Sequence, residues 1–322
     1  MAQAPPARRR LIRLGQLLVT GALFAWLVAR IDHATILALR AVPAVTLTLA
    51  LLIFSLSQFC GALRLRILLA AASHTARPPP LGFLLRLTFA AFFASNFLPG
   101  TAGGDLFKAL ALVRQGTALG DTVSAMFVDR LANLAVAAIL CGAALTLGAP
   151  ELLAHLGFRL DVILPVSGGA GLVLICAVIA LQRNRTVRNW IARIGARAAV
   201  WLRVPGTLAS ALALSVLGIG SSILAQWLFC APLGIDLGIV ALAAVICLVS
   251  LVALVPISLN GIGLQEASIV VLLTGLGVSS AAAVSFALLS RLLVIGASVP
   301  GAILAASDRK LLGRAPARPS QA

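Results

Sequence analysis

The sequence predicts an all-α protein that crosses a membrane several times. Of its 322 residues, 61% are hydrophobic and only 11% are charged. Apolar runs near 20 residues, the length a helix needs to cross a bilayer, recur along the chain, and the basic residues gather between them. Because no segment between these runs is long enough for a soluble core of its own, we predict a single integral membrane domain over residues 1–322.

Ten apolar segments are the candidate elements. The long ones lie at 11–31, 42–61, 81–98, 122–148, 162–181, 207–229, 238–257 and 278–305. The short ones lie at 104–115 and 264–276, and as helices they reach only about 18 Å, well short of the hydrocarbon thickness of about 30 Å. We therefore predict two re-entrant helical hairpins. One is formed by segments 81–98 and 104–115, and the other by segments 238–257 and 264–276.

The distribution of Lys and Arg favours the hairpins. If all eight long segments cross, 13 basic residues lie inside and 10 outside, which fits the positive-inside rule poorly. With six full spans, two hairpins and both termini cytoplasmic, 20 lie inside and only Arg30, Arg40 and Arg159 lie outside. The cytoplasmic side then includes the basic segment 182–206 and the short tail 306–322.

The two hairpins enter the membrane from opposite sides, which predicts an inverted repeat with pseudo-repeats at about 81–148 and 238–305. A common spacing of 161 positions, half the chain length, supports the repeat. It separates Asp105 from Glu266, Arg130 from Arg291, and Gly100 from Gly261.

Two glycine motifs mark the hairpin tips. In "NFLPGTAGGDLFKALAL", beginning at residue 96, Pro99 ends one arm, glycines permit a tight turn, and Asp105 begins the next arm, where a helix N-terminus favours negative charge. "PISLNGIGLQEAS", 256–268, repeats this scheme. The candidate headgroup-binding residues of the two motifs are Gly103, Gly104, Asp105, Lys108, Gly261, Gly263 and Glu266. The alternative is a plain loop whose acid only caps a helix.

Arg130 and Arg291 lie inside apolar segments, where an uncompensated guanidinium is costly. We expect both arginines to join Asp105 and Glu266 in one central cavity that binds a headgroup. The alternatives are a structural ion pair between helices, or for Arg130 either a pairing with its neighbour Asp129 or a position near a helix end from which it snorkels to the surface.

Other polar residues have simpler interpretations. Arg64 and Arg66 follow the second span and are predicted to contact lipid phosphate. The basic segment 182–206 is predicted to be an amphipathic helix on an anionic membrane surface rather than a nucleic-acid site. The five cysteines stand singly and are predicted to pack in the core.

Catalysis has little support in the sequence. His33, His74 and His155 are isolated, and no carboxylate or cysteine cluster has metal-ligand spacing. Neither glycine motif has a Walker or dinucleotide pattern. We therefore expect no enzyme activity, no cofactor and no metal.

Taken together, the two glycine motifs, "VDRLANL" and "SRLLVIGASVPG" resemble the transmembrane region of lysylphosphatidylglycerol synthases and their stand-alone, flippase-like relatives. The resemblance implies a bacterial inner-membrane protein that translocates or handles a modified lipid. It also implies that Asp105 is the acid of a Gly-Gly-Asp turn, that Lys108 stands where a basic residue is usual, and that Glu266 ends the second glycine motif. Gln265 departs from the family pattern, in which an arginine is expected, and this bears on headgroup preference. Since no transferase domain follows the last span, the resemblance implies no aminoacyl transfer by this chain.

The resulting expectation is a flippase-like transporter of an anionic, aminoacylated or glycosylated lipid, whose partners are membrane phospholipids. Two alternatives remain: a non-transporting accessory or scaffold for a separate lipid-modifying enzyme, and a transporter of small solutes or ions.

Overall fold

The computed structural model describes residues 19–23, 25–72, 78–96, 103–148, 204–253 and 261–307. Within these ranges the chain forms ten helices and no strand, which confirms the all-α prediction. The helices are α1 Val19–Val28, α2 His33–Arg40, α3 Ala44–Ala72, α4 Leu81–Ser95, α5 Gly103–Arg114, α6 Leu119–Gly148, α7 Pro205–Trp227, α8 Ile239–Val252, α9 Leu264–Gly275 and α10 Ser280–Ser307.

Four of these helices, α3, α6, α7 and α10, are long and apolar enough to cross a membrane. A fifth crossing is formed if α1 and α2, which meet at an angle of 83°, count as one bent span. The multi-pass character is therefore confirmed. The predicted span at 162–181, most of the basic segment 182–206 and nearly all of the tail 306–322 lie outside the described residues, so the arrangement of six spans stays a prediction.

Four short helices coincide with the arms of the predicted hairpins. α4 and α5 have 15 and 12 residues, and α8 and α9 have 14 and 12. The glycines before α9 are required, because Gly261 and Gly263 have φ angles of 73° and 82°, in the left-handed region. The turns at 97–102 and 254–260 lie outside the described residues, and the re-entrant course of the hairpins stays a prediction.

The correspondence between the halves of the chain extends beyond the predicted repeats, to α3 and α7. The first residues of α3 and α7, of α5 and α9, and of α6 and α10 are each 161 positions apart. We call α3–α6 the first repeat and α7–α10 the second repeat.

Helix packing between the repeats is reciprocal. α4 of the first repeat packs on α10 of the second, and α8 of the second packs on α6 of the first. α3 and α7, which correspond to each other, also form an extensive contact. Reciprocal contacts of this kind are the pattern that a two-fold relation produces.

The contact between α4 and α10 is unusually close. A Cβ atom at Gly301 of α10 would collide with the backbone carbonyl of Phe89 in α4. Nearby, the Asn96 amide donates a hydrogen bond to Ser298 Oγ at 3.1 Å. Small residues permit such backbone approach between helices in a membrane, where van der Waals packing drives association.

Each repeat builds its own hydrophobic core. One core lies mainly between α3, α4, α5 and α6, and a second is formed mainly by α8, α9, α10 and the end of α7. Four cysteines, Cys60, Cys141, Cys230 and Cys247, are buried and free, in agreement with their predicted packing role, whereas Cys176 lies outside the described residues.

Candidate functional site

Each repeat carries one ion pair between an acid and an arginine at corresponding positions. In the first repeat, Arg130 Nε donates to Asp105 Oδ2 at 2.6 Å. In the second repeat, Arg291 Nε donates to Glu266 Oε1. In both repeats the acid lies in the first turn of a short helix and the arginine on the following long helix, 25 residues later. Each pair therefore ties its short helix to its long helix.

The glycines position these acids by allowing close backbone approach. At Gly104, a Cβ atom would lie 2.8 Å from the carbonyl oxygen of Ala91, so α5 can approach α4 this closely only with glycine there. In the second repeat, the N–H of Gly263 donates to Glu266 Oε2 at 2.6 Å. Both carboxylate oxygens of Glu266 are therefore engaged, one by backbone and one by Arg291.

The two ion pairs differ in exposure. The side chains of Arg130 and Asp105 are 45% and 32% exposed, whereas those of Arg291 and Glu266 are 15% and 5% exposed. Charges interact more strongly where water is excluded, and a buried charge that loses its partner is costly. The second pair is therefore the more strongly coupled of the two.

A polar cavity of about 290 Å³, here called the first cavity, lies beside the ion pair of the first repeat. Its charged lining consists of Arg64, Asp105, Lys108 and Asp129. Its uncharged polar lining consists of Ser57, Gln58, Thr88, Asn133, Ser222 and Ser250. Such a concentration of polar groups inside an apolar helix bundle is typical of a binding site or a transport route.

Arg64 is a central residue of the first cavity, and this corrects its predicted position at a membrane surface. Because α3 continues to Ala72, Arg64 is buried more than two turns before the helix ends. Its guanidinium donates to Asp129 Oδ1 at 2.6 Å, to Asn133 Oδ1 at 3.0 Å and to Ser215 Oγ at 2.7 Å. It thereby joins α3, α6 and α7. Sequence reasoning missed this network, although an acid inside an apolar segment was a signal that a buried cation exists.

Asp129 therefore pairs with Arg64 and not with its neighbour Arg130, the pairing that the sequence left open. Adjacent residues on a helix point in directions about 100° apart, so the two side chains serve different partners. Arg66 is half-buried near the end of α3, and its contact with lipid phosphate stays a prediction.

A smaller cavity of about 160 Å³, here called the second cavity, lies beside the ion pair of the second repeat. It is lined by Glu266 and Arg291, and also by Gln265. The two cavities adjoin each other. Their common wall consists of Phe54, Ser222, Ile246 and Ser250.

The two cavities are counterparts under the repeat. Eight residues that line the first cavity have a partner 161 positions later that lines the second. These pairs are Gly61/Ser222, Leu65/Gln226, Thr88/Val249, Asp105/Glu266, Lys108/Ile269, Met126/Ala287, Asp129/Ser290 and Asn133/Val294. The shape is thus repeated while the chemistry is not, since the first cavity is charged and the second is largely neutral.

The structure distributes the four predicted charges over two cavities rather than one. Asp105 lines the first cavity, and Glu266 and Arg291 line the second. Arg130 lines neither cavity and donates a hydrogen bond to Asp105. Lys108 lies one turn after Asp105 and lines the first cavity. The four candidate glycines lie before α9 or at the start of α5 and shape the backbone there.

Three buried polar atoms at these cavities have no hydrogen-bond partner among the described residues. They are Thr88 Oγ1 at the first cavity, and Ser290 Oγ and Arg291 Nη2 at the second. A buried polar atom without a partner costs about 1–3 kcal/mol, so a ligand that supplies acceptor oxygens would be stabilised here. In the described part of the chain no group of three or more His, Cys, Asp or Glu side chains is arranged to hold a metal ion.

The fold and the ion pairs can be compared with known proteins. The family model of the lysylphosphatidylglycerol synthase TM region matches residues 13–301. Searches against curated proteins and against solved structures found no match. Because the matched segment includes all of α3–α9, both ion pairs and both cavities, the chain belongs to the lysylphosphatidylglycerol synthase TM region family.

Proposed function

We propose that this protein is a flippase-like transporter that moves the headgroup of an anionic or modified lipid across the membrane. The observation that carries the proposal is the pair of adjoining polar cavities, related by the repeat and separated by one shared wall. Two matched cavities of opposite orientation would give a headgroup one site in each half of the membrane.

The surface around the first ion pair favours a lipid over a small solute. Arg130 and Asp105 are partly exposed on α5 and α6, and the exposed apolar side chains of these helices include Leu106, Leu110 and Leu131. Exposed leucines on a membrane helix are expected to contact acyl chains. A lipid could thus leave its tails among the leucines while its headgroup reaches the ion pair and the cavity behind it.

The chemistry of the ion pairs suits a charged headgroup. A phosphate can compete for the arginine and an ammonium can compete for the acid, so that each protein charge exchanges one partner for another. No group then needs to stay uncompensated at membrane depth. In this mechanism the chain binds and translocates the lipid and performs no covalent step, and any lipid modification is the task of a separate enzyme.

The proposal places the chain in a bacterial inner membrane with both termini cytoplasmic, in six spans and two re-entrant hairpins. The distribution of 20 basic residues inside against three outside supports this orientation.

Translocation of headgroup-labelled lipids in reconstituted vesicles tests the proposal. The proteins to compare are the wild type, Asp105→Asn, Arg130→Gln and the double variant, each normalised to folded protein. We expect each single replacement to reduce transport, and the double variant, although its charges balance again, not to recover it. Arg114→Gln, which removes an exposed charge at the end of α5, is the matched control and should transport normally.

Two results would contradict the proposal. If the wild type moves none of a panel of anionic, aminoacylated and glycosylated lipids, the accessory or scaffold function takes its place. If all three variants transport as well as the wild type, these residues form a structural pair outside the transport mechanism.

A further inference from the structure

The two cavities have corresponding walls but different charge. At the first cavity, the cations Arg64, Lys108 and Arg130 face the carboxylates Asp105 and Asp129, so one positive charge is in excess. At the second cavity, Glu266 and Arg291 compensate each other.

Lys108 is the source of this difference. Arg64 is paired with Asp129, and Arg130 with Asp105. Lys108 lies near both carboxylates, but no hydrogen bond or ion pair to its Nζ is found among the described residues. At the corresponding position of the second cavity stands Ile269, which is buried and apolar. A cation in a membrane interior is retained at a cost unless an anion compensates it.

A second group in the first cavity also lacks a partner. Thr88 is 3% exposed, lines the first cavity, and its hydroxyl has no hydrogen-bond partner in the described part of the chain. Its counterpart in the second cavity is Val249, which has no polar side-chain atom. A lysine and a hydroxyl are thus both available in the first cavity, and both are absent at the matched positions of the second. The donors without a described partner in the second cavity are the Ser290 hydroxyl and Nη2 of Arg291, and the charge of Arg291 is already compensated by Glu266.

We infer that the first cavity binds a singly charged oxyanion, the phosphodiester of a lipid headgroup, and that Lys108 is the residue that selects for its charge. Lys108 would compensate the charge and Thr88 would donate a hydrogen bond to a phosphate oxygen. One negative charge matches the one positive charge in excess. The second cavity, with Ile269 and Val249 at these positions, would accept a headgroup without selecting its charge. This inference rests on the proposed function, since it assigns a ligand to one of the same cavities.

Binding to the purified full chain in detergent micelles, measured by calorimetry, tests the inference. The probes are dihexanoyl phosphatidylmethanol, a lipid with a single negative charge, dihexanoylglycerol, a neutral lipid that has the same chains and no phosphodiester, and dimethyl phosphate, a soluble phosphodiester. The wild type should bind phosphatidylmethanol at least about tenfold more tightly than dihexanoylglycerol.

Variants of Lys108 test whether this residue causes the preference for the charged lipid. Lys108→Gln and Lys108→Met should bring the ratio of the two affinities close to one, while Lys108→Arg should keep it. A matched control should also keep it: Arg114→Gln, which removes an exposed charge from the same helix. Since Lys108→Met replaces a charged side chain by an apolar one of similar length, it provides a folded variant if Lys108→Gln is unstable.

The outcomes separate the possible ligands and the two proposals. If dimethyl phosphate binds as tightly as phosphatidylmethanol and its binding also depends on Lys108, the first cavity is an anion site. Its ligand is then a soluble phosphodiester rather than a lipid. Equal affinity of the wild type for the charged and the neutral lipid, or an unchanged ratio in both Lys108→Gln and Lys108→Met, overturns the inference. This assay measures binding and not translocation, so the two proposals can fail separately. If the chain binds the charged lipid selectively but moves no lipid in vesicles, only the proposed transport is refuted. If it moves lipids but shows no charge selection in binding, only this inference is refuted.

Discussion

Arg64 and Asp129 form an ion pair of 2.6 Å that joins α3 to α6 and has no counterpart in the second repeat. The corresponding positions there are Ala225 and Ser290, both uncharged. The first repeat therefore contains a buried charge network that the second lacks, although the helices around it correspond. The two repeats therefore share a fold and differ in their buried charges.

Removal of Arg64 should destabilise the protein strongly. Arg64→Met leaves Asp129 without its cation in a largely buried position, and we expect a loss of about 3–5 kcal/mol in the free energy of unfolding. The double variant Arg64→Met with Asp129→Leu should recover most of this loss. The free energies of unfolding of the single and the double variant are measured in detergent. Arg40→Met, at an exposed helix end, is a near-neutral control. A double variant no more stable than Arg64→Met would contradict a role of the pair in charge compensation.

The two corresponding ion pairs should differ in their contribution to stability. Glu266→Gln acts on a pair whose side chains are 5% and 15% exposed, and we expect a cost of about 3 kcal/mol. Asp105→Asn acts on the exposed pair and should cost no more than about 1 kcal/mol. Parallel unfolding curves in one detergent compare them. Equal costs would show that the exposure of the first pair does not persist in the folded protein.

Gly301 should not tolerate a side chain. Gly301→Ala places a Cβ atom against the backbone of α4 at Phe89, which cannot move aside as a flexible side chain can. We expect α4 and α10 to separate, with a loss of about 1–3 kcal/mol. Gly220→Ala is the control, because its Cβ would meet nothing within 4 Å on an exposed helix face and the change should be neutral or slightly stabilising. A thermal unfolding midpoint for Gly301→Ala as high as for Gly220→Ala would exclude this close contact.

The start of α9 should depend on glycine at position 263. Its φ angle of 82° is unfavourable for any residue with a Cβ atom, and Gly263→Ala should cost about 1–2 kcal/mol. Gly275→Ala, at the other end of the same helix, has open space around its Cβ position and serves as the control. The thermal unfolding midpoints of Gly263→Ala and Gly275→Ala are compared. Similar midpoints would indicate that the turn before α9 has another conformation.

The orientation in the membrane can be tested by cysteine labelling. If the two predicted hairpins return to the side they entered, then in a variant without native cysteines Arg193→Cys should be labelled only from the cytoplasm and Arg159→Cys only from outside. A membrane-impermeant maleimide applied to intact cells distinguishes the two sides. Labelling of position 193 from outside would require the hairpin segments to cross the membrane completely.

The sequence by itself located most of the helices that the structure describes, and it showed the spacing of 161 positions between the two halves of the chain. The lengths of apolar runs and the Gly/Pro motifs are local signals, and they located α4, α5, α8 and α9 to within a few residues. The spacing of 161 positions between the two acids and between the two arginines predicted that these charges stand at corresponding positions of the two halves. Their separation into two ion pairs was only the alternative to one shared cavity.

Only the tertiary structure decided which buried charges meet across the bundle and how the cavities divide. Arg64 and Asp129 are 65 positions apart on different helices, and the reciprocal packing of α4 on α10 and of α8 on α6 joins distant parts of the chain. A membrane helix that is apolar on all sides gives no periodic signal of which face packs inward, so its rotation and neighbours cannot be read from the pattern of residues. The division of one expected cavity into two follows from that packing, because α3, α7 and α8 place Phe54, Ser222 and Ile246 between the two ion pairs.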